Sequence, residues 1–294
     1  MPRRGRYYLS RVVKLGQLTQ ATFCNALTKS PVFVAGKFAW NITDAVDARK
    51  EKHPYIFGKL AKFSVKGHVS LVDPEARKQY DAEARNLLIA SSPFIYLPDY
   101  SGFCYMHVWN DIQEDIFPRR IKAIVEKAHN NFFAECEIEP VVDYRAFSAK
   151  LKQITRFTEL SAKVHPPNPM FGKLWGPLKE YVKNRNASEV AVRENSNLPE
   201  GVKTELPKYV ESVLTGKIEN FTGQLAITDA AMLMAADGYG AGKVVGDVDG
   251  EEVVIRTSET QKSFLFEKEP EPTLLATKVR ELFEKIKVER KMGH

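Results

Sequence analysis

The sequence predicts an α+β protein, with an N-terminal unit of antiparallel strands and packed helices followed by a helix-rich unit that contains one β-hairpin. Short runs of β-branched and aromatic residues dominate the first half of the chain, which is typical of strands. Runs with apolar residues at helical spacing dominate the second half. The predicted domains are therefore residues 1–145 and 146–294.

The N-terminal unit begins with a strand over 6–15, because these residues combine aromatic and β-branched side chains. Its clearest turn lies at Pro98–Gly102, where the proline presets one φ angle and Gly102 is expected to take a left-handed one. Another turn is expected at Asp73-Pro74. The remaining predictions are helices over 17–29 and 114–133 and strands over 32–42, 55–65, 86–98, 102–110 and 134–142.

The C-terminal unit is predicted to start with a helix over 145–164, which ends at the prolines after His165 because proline lacks an amide donor. Residues 243–258 are predicted to form the hairpin, since Asp249-Gly250 suits a type I′ turn between β-branched runs. Further helices are predicted over 170–185, 203–215, 228–237 and 273–291, and a short strand over 188–194.

The charge of this 294-residue chain is unevenly distributed. The formal net charge is +6; residues 1–15 carry +5 and residues 276–294 carry +3, which leaves −2 for the rest. The composition is that of a globular protein, which excludes collagen, coiled coil and general disorder. No apolar run is long enough to span a membrane, and no signal peptide is expected. Three widely spaced cysteines favour free thiols in a reducing cytoplasm.

The two basic ends are candidates for contact with nucleic acid, because cationic side chains neutralise phosphates and aromatic rings stack on bases. The alternative is that these charges form an ordinary solvated surface. The candidate nucleic-acid-binding residues are Arg3, Arg4, Arg6, Tyr7, Tyr8, Arg11, Lys243, Lys287, Arg290 and Lys291.

Catalytic candidates are fewer. Asp247, Asp249 and Glu252 could hold Mg²⁺ for phosphodiester cleavage, although the turn alone explains Asp249. His165 could act as an acid or base, or belong to a rigid helix terminator. The glycine-rich segment 237–243 could form an anion nest, or simply end a helix before a strand. No zinc motif or nucleophile elbow is present, and we predict no cofactor and no metal site.

The segment from the hairpin 94–108 to HPPNPMFGKLW at 165–175, together with AADGYGAG at 235–242, resembles an uncharacterised bacterial family associated with phage-defence gene neighbourhoods. The resemblance implies antiviral defence and supplies no catalytic residues. We therefore expect a nucleic-acid-binding component of a bacterial defence system that uses DNA or RNA. The alternatives are a non-catalytic sensor or interaction subunit, with a protein partner or a second copy, and a metal-dependent nuclease effector. Whether the chain is an enzyme stays open.

Overall fold

The computed structural model describes residues 3–166, 176–223 and 225–290. As predicted, the protein is α+β: two antiparallel sheets are covered by helices. None of the helices in these ranges is both long and apolar enough to cross a membrane. The three cysteines are free and buried.

The larger sheet is built mainly from the N-terminal half. Its strands follow the order β12-β1-β6-β5-β4-β3-β2, and β7 pairs with the far half of β1. The strands are β1 (Arg4–Gly16), β2 (Phe33–Ala35), β3 (Phe38–Asp47), β4 (Ile56–Asp73), β5 (Lys78–Leu97), β6 (Gly102–Met106), β7 (Ala134–Pro140) and β12 (Ser263–Glu267).

The last strand, β12, corrects the predicted domain organisation. The sequence predicts no strand over 263–267, yet these residues pair antiparallel with β1, and Arg4 lies opposite Glu267. One hydrophobic core also contains Tyr7 and Leu9 of β1 together with Leu160 and Phe283. The segments 1–145 and 146–294 therefore share a sheet and a core.

A second, four-stranded sheet has the order β11-β10-β8-β9. Its strands are β8 (Arg156–Val164), β9 (Val190–Asn195), β10 (Gly240–Val248) and β11 (Glu251–Arg256). The hairpin β10–β11 is the predicted one, and Asp249 and Gly250 both have positive φ angles, 51° and 88°, as a type I′ turn requires.

The helix predicted over 145–164 is wrong in its second half. Helix α3 (Tyr144–Leu151) ends at Leu151, and residues Arg156–Val164 form β8. Leu160, Ala162 and Val164 of β8 are buried, while the alternate Lys163 is exposed, which is the period-two pattern of a strand. The helical interpretation failed because the spacing of Phe157 and Leu160 also fits one helix face.

Helices cover both faces of the larger sheet. They are α1 (Gln20–Thr28), α2 (Ile116–Ala128), α3 (Tyr144–Leu151), α4 (Gly176–Arg185), α5 (Leu206–Leu214), α6 (Ile227–Met234) and α7 (Pro272–Glu289). Phe23 of α1 and Phe117 of α2 pack with aromatic residues of β5 and β6 on one face. On the other face, α7 and the second sheet share a core with β1.

The turn between β5 and β6 forms where it was predicted but uses a different residue. Ser101 takes the left-handed conformation with φ 45°, not Gly102. Gly102 is required for another reason, because a Cβ at this position would lie 2.6 Å from the Phe283 ring of α7. Of the predicted proline cluster, the residues from Pro167 to Trp175 lie outside the described ranges.

The predicted helix 228–237 continues as a π-helical turn over 235–239, in which the carboxylate of Asp237 is completely buried. It forms an ion pair with Arg290, which is 3% exposed and directly follows α7. Arg290 also donates to the carbonyl oxygen of Val142 at 2.6 Å and lies 3.8 Å from the centre of the Tyr144 ring. This ion pair connects three separate segments of the chain.

We expect Arg290→Met to lower the free energy of unfolding by about 3–5 kcal/mol, because it leaves the Asp237 carboxylate buried without its cation. Urea denaturation monitored by circular dichroism measures this loss. Lys285→Met is the matched control: among the described residues this exposed side chain pairs with Glu289 alone, and we expect a change below about 1 kcal/mol. Equal losses in the two variants would contradict the prediction.

Candidate nucleic-acid interface

The first strand sorts its side chains between the two faces of the sheet. Tyr7 and Leu9 point into the core, whereas Arg4 and Arg6 lie exposed on the opposite face together with the half-buried Tyr8. The predicted basic and aromatic residues are therefore divided by the period of the strand. Of the two faces of this strand, the one with Arg4, Arg6 and Tyr8 forms a continuous surface of basic and aromatic side chains.

A series of aromatic rings runs from the core to this surface. The Tyr105 ring is buried and lies 6.2 Å from Tyr8, which lies 6.0 Å from His107. His107 then meets Trp109 edge to face at 4.8 Å. Trp109 is 79% exposed, the highest value among the exposed large hydrophobic side chains. The Trp109 ring is therefore exposed to solvent and is supported by the packed rings beneath it.

Among the described residues, the arginines of this surface are not held in ion pairs: Glu267 lies opposite Arg4 on β12 but forms no ion pair with it. Within the described ranges, no ion pair includes Arg3, Arg4 or Arg6, and Arg6 makes only a long hydrogen bond of 3.4 Å to the Ser263 hydroxyl. Burial raises the pKa of the Tyr8 hydroxyl, Glu114 raises it further, and the Arg6 guanidinium opposes the shift. These cations can therefore accept an anion without first breaking an ion pair.

His107 fixes the position of the aromatic series. Its backbone N–H donates to the carbonyl oxygen of Arg6 at 2.8 Å, and its Nδ1 lies 2.8 Å from the Glu114 carboxylate. Its Nε2 is buried and has no hydrogen-bond partner within the described ranges. We define the candidate interface as Arg4, Arg6, Tyr8, His107 and Trp109.

Three predicted nucleic-acid contacts are wrong because their side chains are buried. The Tyr7 hydroxyl donates to the carbonyl oxygen of Glu267 at 2.8 Å. Arg11 is 4% exposed and donates to the carbonyl oxygens of Asp237 and Tyr100 at 2.9 and 2.6 Å. Arg290 belongs to the buried ion pair with Asp237. None of the three can meet a phosphate at the surface.

The two basic ends meet in the interior, where Arg11 and Arg290 both contact Asp237, but their exposed cations stay apart. Arg4 lies opposite Glu267, just before α7 begins, whereas Arg290 follows the end of that helix. The 18 residues of α7 span about 27 Å. Lys287 is half-buried on α7 and Lys291 lies outside the described ranges. The interface therefore draws on the N-terminal arginines alone.

The structure brings two of the proposed metal ligands, Asp247 and Glu252, side by side but does not complete a metal site with them in the part of the chain that it describes. Asp247 Oδ2 accepts from Arg156 Nε at 2.7 Å, and Asp249 occupies the turn. Glu252 lies opposite Asp247 across the hairpin. Among the described residues, no group of three or more His, Cys, Asp or Glu side chains is arranged to hold a metal ion.

The glycine-rich segment follows its structural interpretation, whereas His165 does not end a helix, because it directly follows strand β8. The His165 amide donates to the carbonyl oxygen of Tyr239 at 2.8 Å, and its Nε2 lies 3.7 Å from Glu189. A Cβ at Gly240 would lie 2.1 Å from the carbonyl oxygen of Lys163, so glycine permits the close approach of β10 and β8. The segment ends a helix and starts a strand.

The sequence did not predict the cavity of about 490 Å³ that lies beside the outer face of the second sheet. Ala241, Gly242 and Lys243 of the predicted glycine-rich segment line it, and Lys243 Nζ lies 2.5 Å from Glu159. Glu139 of β7 forms part of the wall, and burial raises the pKa of its carboxyl to about 7. The period-two alternation over 159–163 is the signal that could have identified this face.

A family model described as a domain of unknown function (DUF4747) matches residues 18–284, which is most of the chain. No curated protein matches the chain.

The raised pKa of Glu139 makes stability depend on pH. Its carboxyl changes from an ordinary pKa of 4.5 to about 7 on folding, so the folded state binds the proton more tightly. The stability that protonated Glu139 contributes is complete below about pH 4.5 and is lost as pH rises through about 7. We therefore expect the free energy of unfolding of Glu139→Gln to rise by about 1–3 kcal/mol relative to that of the wild type between pH 5 and pH 8.

Urea denaturation at the two pH values measures this gain. Glu135→Gln, which removes an exposed carboxylate from the same strand, is the control and is expected to change stability by less than about 0.5 kcal/mol. A constant difference between Glu139→Gln and the wild type across this range would contradict the prediction.

Proposed function

We propose that this chain, which belongs to the DUF4747 family, binds single-stranded nucleic acid through the surface of Arg4, Arg6, Tyr8, His107 and Trp109. One observation carries the proposal: a tryptophan that is 79% exposed adjoins, through Tyr8 and His107, two exposed arginines that form no ion pair with the described residues. Aromatic rings that stack on bases and cations that contact phosphates are the two components of such sites.

The arrangement supports binding of an extended strand. Arg4 and Arg6 stand two residues apart on one face, about 7 Å along the strand, and point to the same side as Tyr8. An exposed ring can receive only an unstacked base, so a single strand fits this surface better than a duplex. Stacking is tolerant of sequence, because every base has an aromatic face. Comparing DNA with RNA of the same sequence is the first measurement.

The biological setting is part of the proposal. The sequence resemblance to a family from phage-defence neighbourhoods supports a role as a component of a bacterial antiviral system. Three buried free thiols support a cytoplasmic location. If this setting is right, a strain that expresses the wild-type protein with its neighbouring genes restricts phage growth, and removing Arg4, Arg6 and Trp109 together abolishes restriction.

A second candidate, the non-catalytic interaction subunit, is favoured by the hairpin β4–β5. Among the described residues, the strands of this hairpin pair between positions 66 and 85 with each other alone, and Leu71 and Tyr80 on one face are 41% and 54% exposed. An isolated two-stranded hairpin is marginally stable in water. A second copy is the partner proposed here, because the uncharged apolar face is self-complementary.

Leu71→Lys with Tyr80→Lys is then expected to convert a dimer into a monomer in light scattering.

We expect Arg4→Ala with Arg6→Ala to weaken binding of a labelled single strand and to lower the salt slope by about 1.4, because each phosphate contact on a single strand contributes about 0.7. Fluorescence anisotropy at several salt concentrations measures both quantities. Lys278→Ala with Lys285→Ala removes the same charge from α7 and is the control. An unchanged slope in the Arg4 and Arg6 variant would contradict the proposal.

We expect Trp109→Ala to weaken binding by about 5- to 150-fold, since stacking on one aromatic ring contributes about 1–3 kcal/mol. The salt slope should stay constant because no charge is lost. Trp109→Phe keeps a ring for stacking and is expected to retain most of the affinity. If the two variants bind equally well, Trp109 does not stack on a base.

A further inference from the structure

The outer face of the four-stranded sheet carries one continuous polar row. Arg256 lies opposite Lys243, Lys243 opposite Ser161, and Ser161 opposite Arg193, so one residue from each strand lies side by side. Adjacent strands lie about 4.8 Å apart, and the row therefore spans about 14 Å. Three of its four residues are cations.

The row lies beside a cavity that can hold a small molecule. The cavity has a volume of about 490 Å³, within the usual range for ligand pockets. Lys163, two residues from Ser161 on the same face, also lines it, and Glu139 and Ser258 complete the polar wall. Alanine and glycine residues between these side chains leave the space open.

The positive charge of the row is only partly compensated. Glu159 lies between two cations, 2.5 Å from Lys243 Nζ and 2.6 Å from Arg193, and accepts from the Ser161 hydroxyl at 3.2 Å. The hydrogen bond from Lys243 keeps the pKa of Glu159 below its ordinary value. One carboxylate is thus shared by two cations, which leaves one positive charge in the centre of the row.

The two remaining cations, Lys163 and Arg256, form ion pairs with carboxylates at the rim of the cavity. Lys163 lies 3.0 Å from Glu189, and Arg256 lies 3.3 Å from Glu259. Both carboxylates are more than one-third exposed, and exposed ion pairs contribute only about 0–1 kcal/mol. An incoming doubly charged anion can therefore replace these partners at small cost.

We propose that this cavity binds a phosphate group. Lys163 and Lys243 supply the charge, Arg256 and Arg193 are able to donate two hydrogen bonds each, and the hydroxyl group of Ser258 donates to a remaining oxygen. The group belongs either to a mononucleotide or to the phosphorylated end of a nucleic-acid strand. The site shares no residue with the proposed surface of Arg4, Arg6, Tyr8, His107 and Trp109, so the two proposals stand separately.

Isothermal titration of the full-length protein with inorganic phosphate, at constant ionic strength, tests the site. We expect saturable binding that falls at least about tenfold in Lys163→Gln with Lys243→Gln. Glu139→Gln removes a negative charge from the wall and is expected to raise the affinity. Lys278→Gln with Lys285→Gln, on α7, is the control for loss of charge elsewhere.

The source of the phosphate follows from two further comparisons. If AMP competes with inorganic phosphate and binds more tightly than adenosine does, the ligand is a mononucleotide. An oligonucleotide with a 5′-phosphate that outbinds its 5′-hydroxyl form, in a protein carrying Trp109→Ala, identifies a strand end. Absence of saturable phosphate binding overturns the proposal, as does an equal loss of affinity in the α7 control or no change in the Lys163 and Lys243 variant. Circular dichroism confirms that each variant is folded.

Discussion

The buried ion pair between Asp237 and Arg290 connects the parts of this structure that lie far apart in sequence. Arg290 joins the end of α7 to the π-helical turn and, through the carbonyl oxygen of Val142, to the segment between β7 and α3. Arg11 of β1 donates to the backbone of the same turn. Burial raises the pKa of the Asp237 carboxyl and the Arg290 guanidinium opposes that shift, so each group depends on the other.

This arrangement also decides which cations reach the surface. Arg11 points inward because it shares a strand face with Tyr7 and Leu9, and its guanidinium is satisfied by carbonyl oxygens and lies over aromatic rings. Arg4 and Arg6 share the other face, where both are exposed. A single strand thus supplies one arginine to the core and two to the candidate interface, because successive side chains of a strand point in opposite directions.

Much of the fold could be predicted from local patterns. The hairpin 243–258 was predicted from its turn residues, and α7 from its apolar stripe, because both signals depend on neighbouring residues. Strand β8 was mistaken for helix where two periods coincide over a few residues. In the candidate site, Arg4, Arg6 and Tyr8 were predicted from composition, whereas the cavity residues Arg193 and Lys163 were missed because their strands meet only in the folded chain.

The sequence by itself determined the α+β class, most of the elements and the concentration of positive charge at the two ends. Only the tertiary structure decided which of those charges are buried, that β12 completes the first sheet, and that the two ends meet in the core at Asp237 while their exposed cations stay apart. The physical reason is distance along the chain: the pairing of Arg4 with Glu267 and the ion pair of Asp237 with Arg290 join residues whose local sequences carry no record of each other.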